Sequence, residues 1–122
     1  MAREGHEVIF GISTDPRFGP LLMFGLGGKY VEVFQDVRFG VTPLAPHEAR
    51  EMVRGIRGRK LLEGVRGEPA ADLDVLIDVL LRLAQLAQRH PAIRELDLNP
   101  FLAAADRGSA KAVDVRIRVE PA

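Results

Sequence analysis

The sequence predicts an α+β fold in which helices pack on one side of a mostly antiparallel sheet. The first third of the chain consists of short apolar segments separated by turns, the middle changes to helical spacing of apolar residues, and the end returns to alternation typical of strands. Strands joined by short turns pair antiparallel, because a parallel pair needs a long crossover. No internal repeat or linker interrupts the 122 residues, so we expect a single domain over residues 1–122.

Four strands are expected in the first part of the chain. Residues 7–13 are apolar and β-branched at their centre, and Asp15-Pro16 begins a turn that leads to a short apolar strand over 21–24. Alternating apolar residues predict a third strand over 30–34, and 37–41 is the fourth. This spacing is typical of an antiparallel meander.

Two helices are expected in the middle. Pro46 suits a first helical position, and residues 47–56 have apolar side chains at helical spacing. The longest helix is predicted over 71–89, where Asp72 near the start complements the helix dipole and His90-Pro91 ends the helix. Its single apolar stripe comprises Leu73, Leu76, Ile77, Leu80, Leu83, Ala84 and Ala87.

Polar residues alternate with leucines in a segment near the C-terminus. Leu96 and Leu98 alternate with Asp97 and Asn99, so on a strand the leucines enter a core and the polar side chains lie on the opposite face. We expect Pro100 to stop this strand, because proline cannot donate to the ladder.

A last strand is predicted over 111–119, and it carries Asp114. If it pairs with the strand before it, two carboxylates and one amide oxygen converge, and such hard oxygen ligands suit Mg²⁺ or Mn²⁺ with substrate phosphates. The alternative is an ordinary hairpin with a solvated polar face.

Composition narrows the possible partners. Lys+Arg and Asp+Glu are both 17, which gives a formal net charge of zero, and no basic run carries interleaved aromatics, so nucleic acid is not an expected partner. No apolar run is long enough for a membrane span. The absence of cysteine excludes disulfides and thiolate chemistry, and it fits the cytoplasmic location that we predict.

Two glycine-containing segments are candidates for phosphate contacts. Gly25-Leu-Gly-Gly28 could let the backbone approach phosphate oxygens, or it could be a tight turn. Arg66, held in Gly64-Val-Arg-Gly67, could clamp a phosphate or carboxylate, or it could be a surface arginine on a loop.

Six segments in a fixed order resemble a known family. They are Glu7-Val-Ile-Phe-Gly, Asp15-Pro-Arg-Phe-Gly-Pro-Leu-Leu-Met-Phe-Gly-Leu-Gly-Gly28, Tyr30-Val-Glu-Val, Leu61-Leu-Glu-Gly-Val-Arg-Gly67, Glu95-Leu-Asp-Leu-Asn-Pro100 and Ala112-Val-Asp-Val-Arg116. Together they resemble the ATP-grasp domain of the NDP-forming acyl-CoA synthetases, relatives of the succinyl-CoA synthetase beta subunit. The resemblance covers nearly the whole chain.

The resemblance implies a site for ATP or ADP and for Mg²⁺ or Mn²⁺. In this family the Asn of the Asn-Pro motif and the Asp of the last strand bind the cation that bridges the phosphates, and these positions correspond to Asn99 and Asp114. The acidic residue two positions before that Asn is Asp97. By resemblance it faces the same cleft and contacts the phosphohistidine that carries phosphate from a distant site.

The resemblance also implies contacts on the phosphate side of the cleft. Gly27 and Gly28 match the glycine turn beside the phosphate-transfer site, and Arg66 matches the arginine of the Gly-x-Arg-Gly loop. Family members often have arginine where Gly40 stands, so one phosphate contact is expected to be missing.

The implied function is a portion of an ADP-forming acyl-CoA synthetase that exchanges ATP, CoA and a carboxylic acid for ADP, phosphate and acyl-CoA. The chain corresponds to the C-terminal half of the ATP-grasp module, so its expected partners are the N-terminal half and a CoA-binding domain or subunit, with homo-oligomers possible. This chain alone is expected to be inactive. The alternatives are a regulatory domain of a protein lysine acetyltransferase and a structural remnant without catalysis.

Overall fold

The computed structural model describes residues 6–27, 36–57, 62, 72–104 and 110–120, which form a six-stranded antiparallel sheet with two helices on it. The predicted α+β class is therefore confirmed, whereas the strand expected over 30–34 lies outside the described residues. The strands are β1 (His6–Asp15), β2 (Gly19–Leu26), β3 (Val37–Val41), β4 (Ile93–Ala103), β5 (Lys111–Ala112) and β6 (Val115–Val119), and the helices are α1 (Pro46–Arg54) and α2 (Leu73–Arg89).

The strand order of the sheet is β3-β2-β1-β4, and β5 and β6 both pair with β4. Every described pair is antiparallel, including the pair of β1 with β4, which are far apart in the sequence. Strands β1 to β3 form an antiparallel meander in which residues 37–41 pair directly with β2, and β4 lies on the other side of β1. The two C-terminal segments pair as predicted, since Leu96 and Leu98 of β4 lie opposite Ile117 and Val115 of β6. The single strand expected over 111–119 is wrong, however, because the segment is divided into β5 and β6 and Asp114 lies between them.

The turn between β1 and β2 is built by its own side chains. The Asp15 carboxylate accepts hydrogen bonds from the backbone N–H groups of Arg17 at 2.7 Å and Phe18 at 3.1 Å. Gly19 follows with a φ of 77°, which glycine adopts without steric cost. The turn expected at Asp15-Pro16 is therefore confirmed.

Strand β4 does not stop at Pro100, contrary to the expectation from its missing N–H. It continues to Ala103, and its register with β1 shifts between Val8 and Phe10, so the proline lies where the ladder is already irregular. On the other side, the Pro100 carbonyl accepts a hydrogen bond from the Val113 N–H at 3.0 Å. A proline at such an irregularity costs the sheet little.

Helix α2 begins after a capping aspartate. The Asp72 carboxylate accepts hydrogen bonds from the N–H groups of Asp74 at 3.0 Å and Val75 at 3.3 Å. Asp72 is thus the N-cap rather than a residue of the first turn. The helix ends at Arg89, as predicted from His90-Pro91. Neither α1 nor α2, the helices of the described residues, is long and apolar enough to cross a membrane.

Removing the cap of α2 should cost about 1 kcal/mol of unfolding free energy. We expect Asp72→Ala to show this loss in chemical denaturation, because two N–H groups at the helix start lose their acceptor. Asp72→Asn keeps an acceptor and should stay close to the wild type. Equal destabilisation by both variants would contradict the capping role.

The core lies between the two helices and one face of the sheet. Phe10 of β1 is fully buried and contacts the rings of Phe24 and Phe101, with ring centroids 5.2 Å apart in both pairs. Leu80 of α2 is also fully buried, in agreement with the predicted stripe. The helices of the described residues lie on this face, and exposed polar side chains of β4 lie on the opposite face of the sheet.

Candidate functional site

The face of the sheet opposite the helices carries a polar cavity of about 160 Å³. Its lining comprises Asp97, Asn99, Asp114 and Arg116. The two β4 members of this set are exposed, whereas Leu96 and Leu98 are buried, so the alternation predicted from the sequence is confirmed. The structure thus brings together the three residues that we singled out as candidate ligands.

Backbone pairing positions these side chains. Asp97 lies opposite Gly11 of β1 and opposite Arg116 of β6. A Cβ atom at position 11 would lie 3.5 Å from the Asp97 Oδ1, in ordinary van der Waals contact, so Gly11 is a direct neighbour of that carboxylate. The Asn99 N–H donates to the Asp114 carbonyl at 3.0 Å, which holds these two residues side by side.

The donor set of the cavity fits a hard divalent cation. Two carboxylates and one amide oxygen are the ligand types of Mg²⁺, and the exposure of the cavity leaves room for waters or phosphates as further ligands. The two carboxylates and the Arg116 guanidinium leave one formal negative charge. Among the described residues, no group of three His, Asp or Glu side chains converges on one point, and this cavity contributes only two.

Arg116 is the residue of this cavity that sequence reasoning missed. Its Nε lies 3.9 Å from the Asp114 Oδ2. The predicted strand over 111–119 contains both residues, and side chains two apart on a strand share a face. In the structure Asp114 lies just before β6, and the cavity still brings it together with Arg116.

A second arginine of β6 is held differently. Arg118 donates to the Glu95 Oε1 from Nε at 3.0 Å and from Nη2 at 2.7 Å, and its Nη1 donates to the Glu120 carboxylate. The hydrogen bond with Glu95 raises the pKa of Arg118 above its ordinary value; desolvation opposes this rise, and the negative charges of Glu95 and Glu120 add to it. The two carboxylates thus fix the Arg118 side chain on the surface of the sheet.

The predicted phosphate-side residues lie apart from the cavity or outside the described residues. Gly27 follows β2, two strands away from β4, and its N–H donates to the Glu7 carbonyl at 2.9 Å. Gly28 and Arg66 lie outside the described residues. Their contacts with phosphate therefore stay predictions.

The missing contact expected at position 40 does not concern this cavity. Gly40 lies opposite the buried Leu22, on the helix side of the sheet. A Cβ atom there would lie 2.7 Å from the Met52 Sδ of α1. An arginine at position 40 would thus begin on the face opposite Asp97, and the phosphate contact expected to be missing there stays a prediction.

A larger cavity, of about 220 Å³, lies between β3 and α1 on the helix side. Two of its polar side chains, those of Arg38 and Glu48, already have structural partners. Arg38 donates to the Gly55 carbonyl from Nε at 2.9 Å and from Nη2 at 2.6 Å, and the Glu48 carboxylate accepts the Ala45 N–H at 2.8 Å. We therefore place the candidate site in the smaller cavity, which gathers the candidate ligands predicted from the sequence.

The fold and the sequence together define the class of this protein. The model of the ATP-grasp domain family matches residues 1–119, and the chain belongs to that family. Among curated proteins it is similar to the ADP-forming acetate–CoA ligase I of Archaeoglobus fulgidus, with 49% identity over 100 residues, which are 82% of this chain and 15% of that protein.

Two other relatives resemble the chain over most of its length. The beta subunit of the ADP-forming acetate–CoA ligase I of Pyrococcus furiosus is 45% identical over 113 residues, which are 93% of this chain and 48% of the subunit. The 4-hydroxybutyrate–CoA ligase of Nitrosopumilus maritimus, also ADP-forming, is 43% identical over 117 residues, which are 96% of this chain and 17% of that protein.

The fold matches a solved structure closely. The dinucleotide-forming acetyl-coenzyme A synthetase 1 of Ca. Korarchaeum cryptofilum superposes with a TM-score of 0.90 at 41% identity, over 98% of this chain and 55% of that one. That protein was solved with coenzyme A and Mg-AMPPCP, with its phosphohistidine segment pointing towards the nucleotide binding site. This chain spans about half the length of such chains and of the P. furiosus subunit.

Proposed function

We propose that this chain is the metal- and nucleotide-binding half of an ATP-grasp module in an ADP-forming acyl-CoA ligase, with acetate as the favoured acid. The observation that carries the proposal is a cavity that gathers Asp97, Asn99 and Asp114 on the face of the sheet opposite α1 and α2. The relatives support the reaction, since those at 43–49% identity are ADP-forming ligases. This favours the ligase over the acetyltransferase regulator.

The cavity residues would have two roles, to bind the cation and to position the reacting groups. Asn99 and Asp114 would hold Mg²⁺, which, when bound, neutralises charge on the nucleotide phosphates. Asp97 would face the incoming phosphohistidine, in line with the orientation of that segment in the K. cryptofilum enzyme. Gly27, Gly28 and Arg66 would approach the phosphates from the other side. Such catalysis depends on preorganised charges more than on covalent chemistry.

The proposed partners follow from the share of the relatives that the chain spans. It covers 48% of the P. furiosus beta subunit and 15% of the A. fulgidus ligase. We propose that a second ATP-grasp half closes the nucleotide cleft over the face of the sheet that carries this cavity. A CoA-binding domain or subunit would supply the phosphohistidine.

Turnover should require that second half. We expect the 122-residue chain alone to fold but to release no ADP from ATP, acetate and CoA, because half of the nucleotide contacts are missing. The measurement is ADP release with and without Mg²⁺. Turnover that depends on Mg²⁺ would show that one half is enough. Weak nucleotide binding, with a Kd of roughly 1 mM, is compatible with the proposal.

A reconstituted ligase tests the function directly. The matching 113 residues of the P. furiosus beta subunit are replaced by this chain, and the hybrid is assembled with the rest of that ligase. We expect ADP formation that requires ATP, acetate and CoA, because the cavity residues are supplied by this chain. A hybrid that assembles and binds CoA but forms no ADP would contradict the proposed function.

A further inference from the structure

Two arginines on the same face of β6 are held with very different strength. The Arg118 side chain is held by hydrogen bonds to Glu95 and Glu120. The Arg116 side chain is 82% exposed, and its Nε lies 3.9 Å from the Asp114 Oδ2, beyond hydrogen-bond distance. The Arg118 guanidinium is therefore fixed on the sheet surface by its carboxylate partners. The Arg116 guanidinium lies at the cavity and makes only a long contact with Asp114.

The loose pair costs little to break. An exposed ion pair is typically worth no more than about 1 kcal/mol, because water and salt screen it. Asp114 is itself 55% exposed, so a competing cation can reach its carboxylate. A guanidinium within 4 Å of that carboxylate would repel the cation unless an anion lies between the two positive charges.

We propose that Arg116 binds the nucleotide polyphosphate, and that it holds the Asp114 carboxylate only until a metal–nucleotide complex arrives. The inference rests on the proposed function, because it takes Asp114 as a metal ligand. A guanidinium presents a planar fork of N–H donors that matches phosphate oxygens. Arg116 lies opposite Asp97 on the paired strand and lines the same cavity, so it is positioned beside whatever the cavity binds.

The proposal predicts opposite effects on two affinities. Without nucleotide, Arg116 competes with a free cation for Asp114, so its removal should tighten binding of the metal alone. With nucleotide, Arg116 contributes hydrogen bonds to a charged group, so its removal should weaken binding of the metal–nucleotide complex. A residue that only supports the sheet would weaken both or neither.

The experiment measures both affinities in the reconstituted ligase. Free Mn²⁺ is titrated by its electron paramagnetic resonance signal, and Mg-AMPPCP binding is followed by calorimetry. For Arg116→Gln we expect Mn²⁺ to bind about two- to fivefold tighter and Mg-AMPPCP about tenfold or more weaker. Arg116→Lys keeps the charge but not the fork and should lie between Arg116→Gln and wild type for Mg-AMPPCP. The high exposure of Arg116 means that neither variant threatens folding.

Two further variants separate the possible failures. Arg118→Gln is the matched control on the same strand face and should leave Mg-AMPPCP affinity within twofold of the wild type. If Arg116→Gln behaves like Arg118→Gln, or lowers both affinities in parallel, the inference about Arg116 is overturned. If Asp114→Asn leaves Mg²⁺-dependent AMPPCP binding unchanged, the metal site of the proposed function fails, and the inference fails with it.

Discussion

Asp114→Asn in the reconstituted ligase is expected to lower kcat for ADP formation by about 10²-fold or more. Asparagine keeps the shape of the side chain but removes the negative charge that holds a hard cation. Folding should survive, because the carboxylate is exposed and its contact with Arg116 is a loose pair at 3.9 Å. The measurement is kcat at saturating ATP, acetate and CoA over a series of Mg²⁺ concentrations.

The matched control for this variant lies on the other side of the sheet. Asp74 is an exposed carboxylate in the first turn of α2, so Asp74→Asn should leave kcat within about twofold of the wild type. Asn99→Ala removes the amide oxygen beside Asp114, so this variant should lower kcat as Asp114→Asn does. If both cavity variants retain kcat within about twofold, the paired strands are an ordinary hairpin and the metal assignment is wrong.

Leu80→Ala should lower the unfolding free energy of the chain by about 2–5 kcal/mol. Leu80 lies on the buried stripe of α2 and is fully buried between that helix and the sheet. Truncation to alanine loses the transfer free energy of the side chain and leaves a cavity in packing that relaxes only partly. The measurement is the denaturation midpoint and slope of the two proteins in urea.

Gln85→Ala is the corresponding control on the same helix. Gln85 is exposed, so this variant should shift the unfolding free energy by no more than about 0.5 kcal/mol. An unchanged midpoint for Leu80→Ala would mean that its pocket collapses without cost, contrary to the packing seen here.

Local periodicity was sufficient for most of the architecture. The alternation of Leu96 and Leu98 with Asp97 and Asn99 predicted which side chains enter the core, because a strand has only two faces. The apolar stripe of α2 and the end of this helix before His90 were also predicted. Helical spacing and a proline after the helix both depend only on residues close together in the sequence. The resemblance to the ATP-grasp family added the chemistry expected of these positions.

Contacts between residues that are far apart in the sequence could not be predicted from local patterns. The carboxylate of the buried Asp36 accepts the Arg57 N–H at 2.6 Å, and these residues are 21 positions apart. Strand β4 continues through Pro100 because its register with β1 shifts there, and this shift depends on how the two strands align. No local pattern around either residue reports its partner.

The same distinction between local patterns and long-range contacts applies to the candidate site. That residues 97, 99 and 114 carry oxygen ligands, and that the first two share a face, follows from residue type and strand period alone. That Arg116 stands opposite Asp97, and that the Asn99 N–H donates to the Asp114 carbonyl, required the register of β4 against β6. A shift of that register by one residue would turn every side chain of β6 to the other face, and the strand's own sequence does not report which register the folded sheet selects.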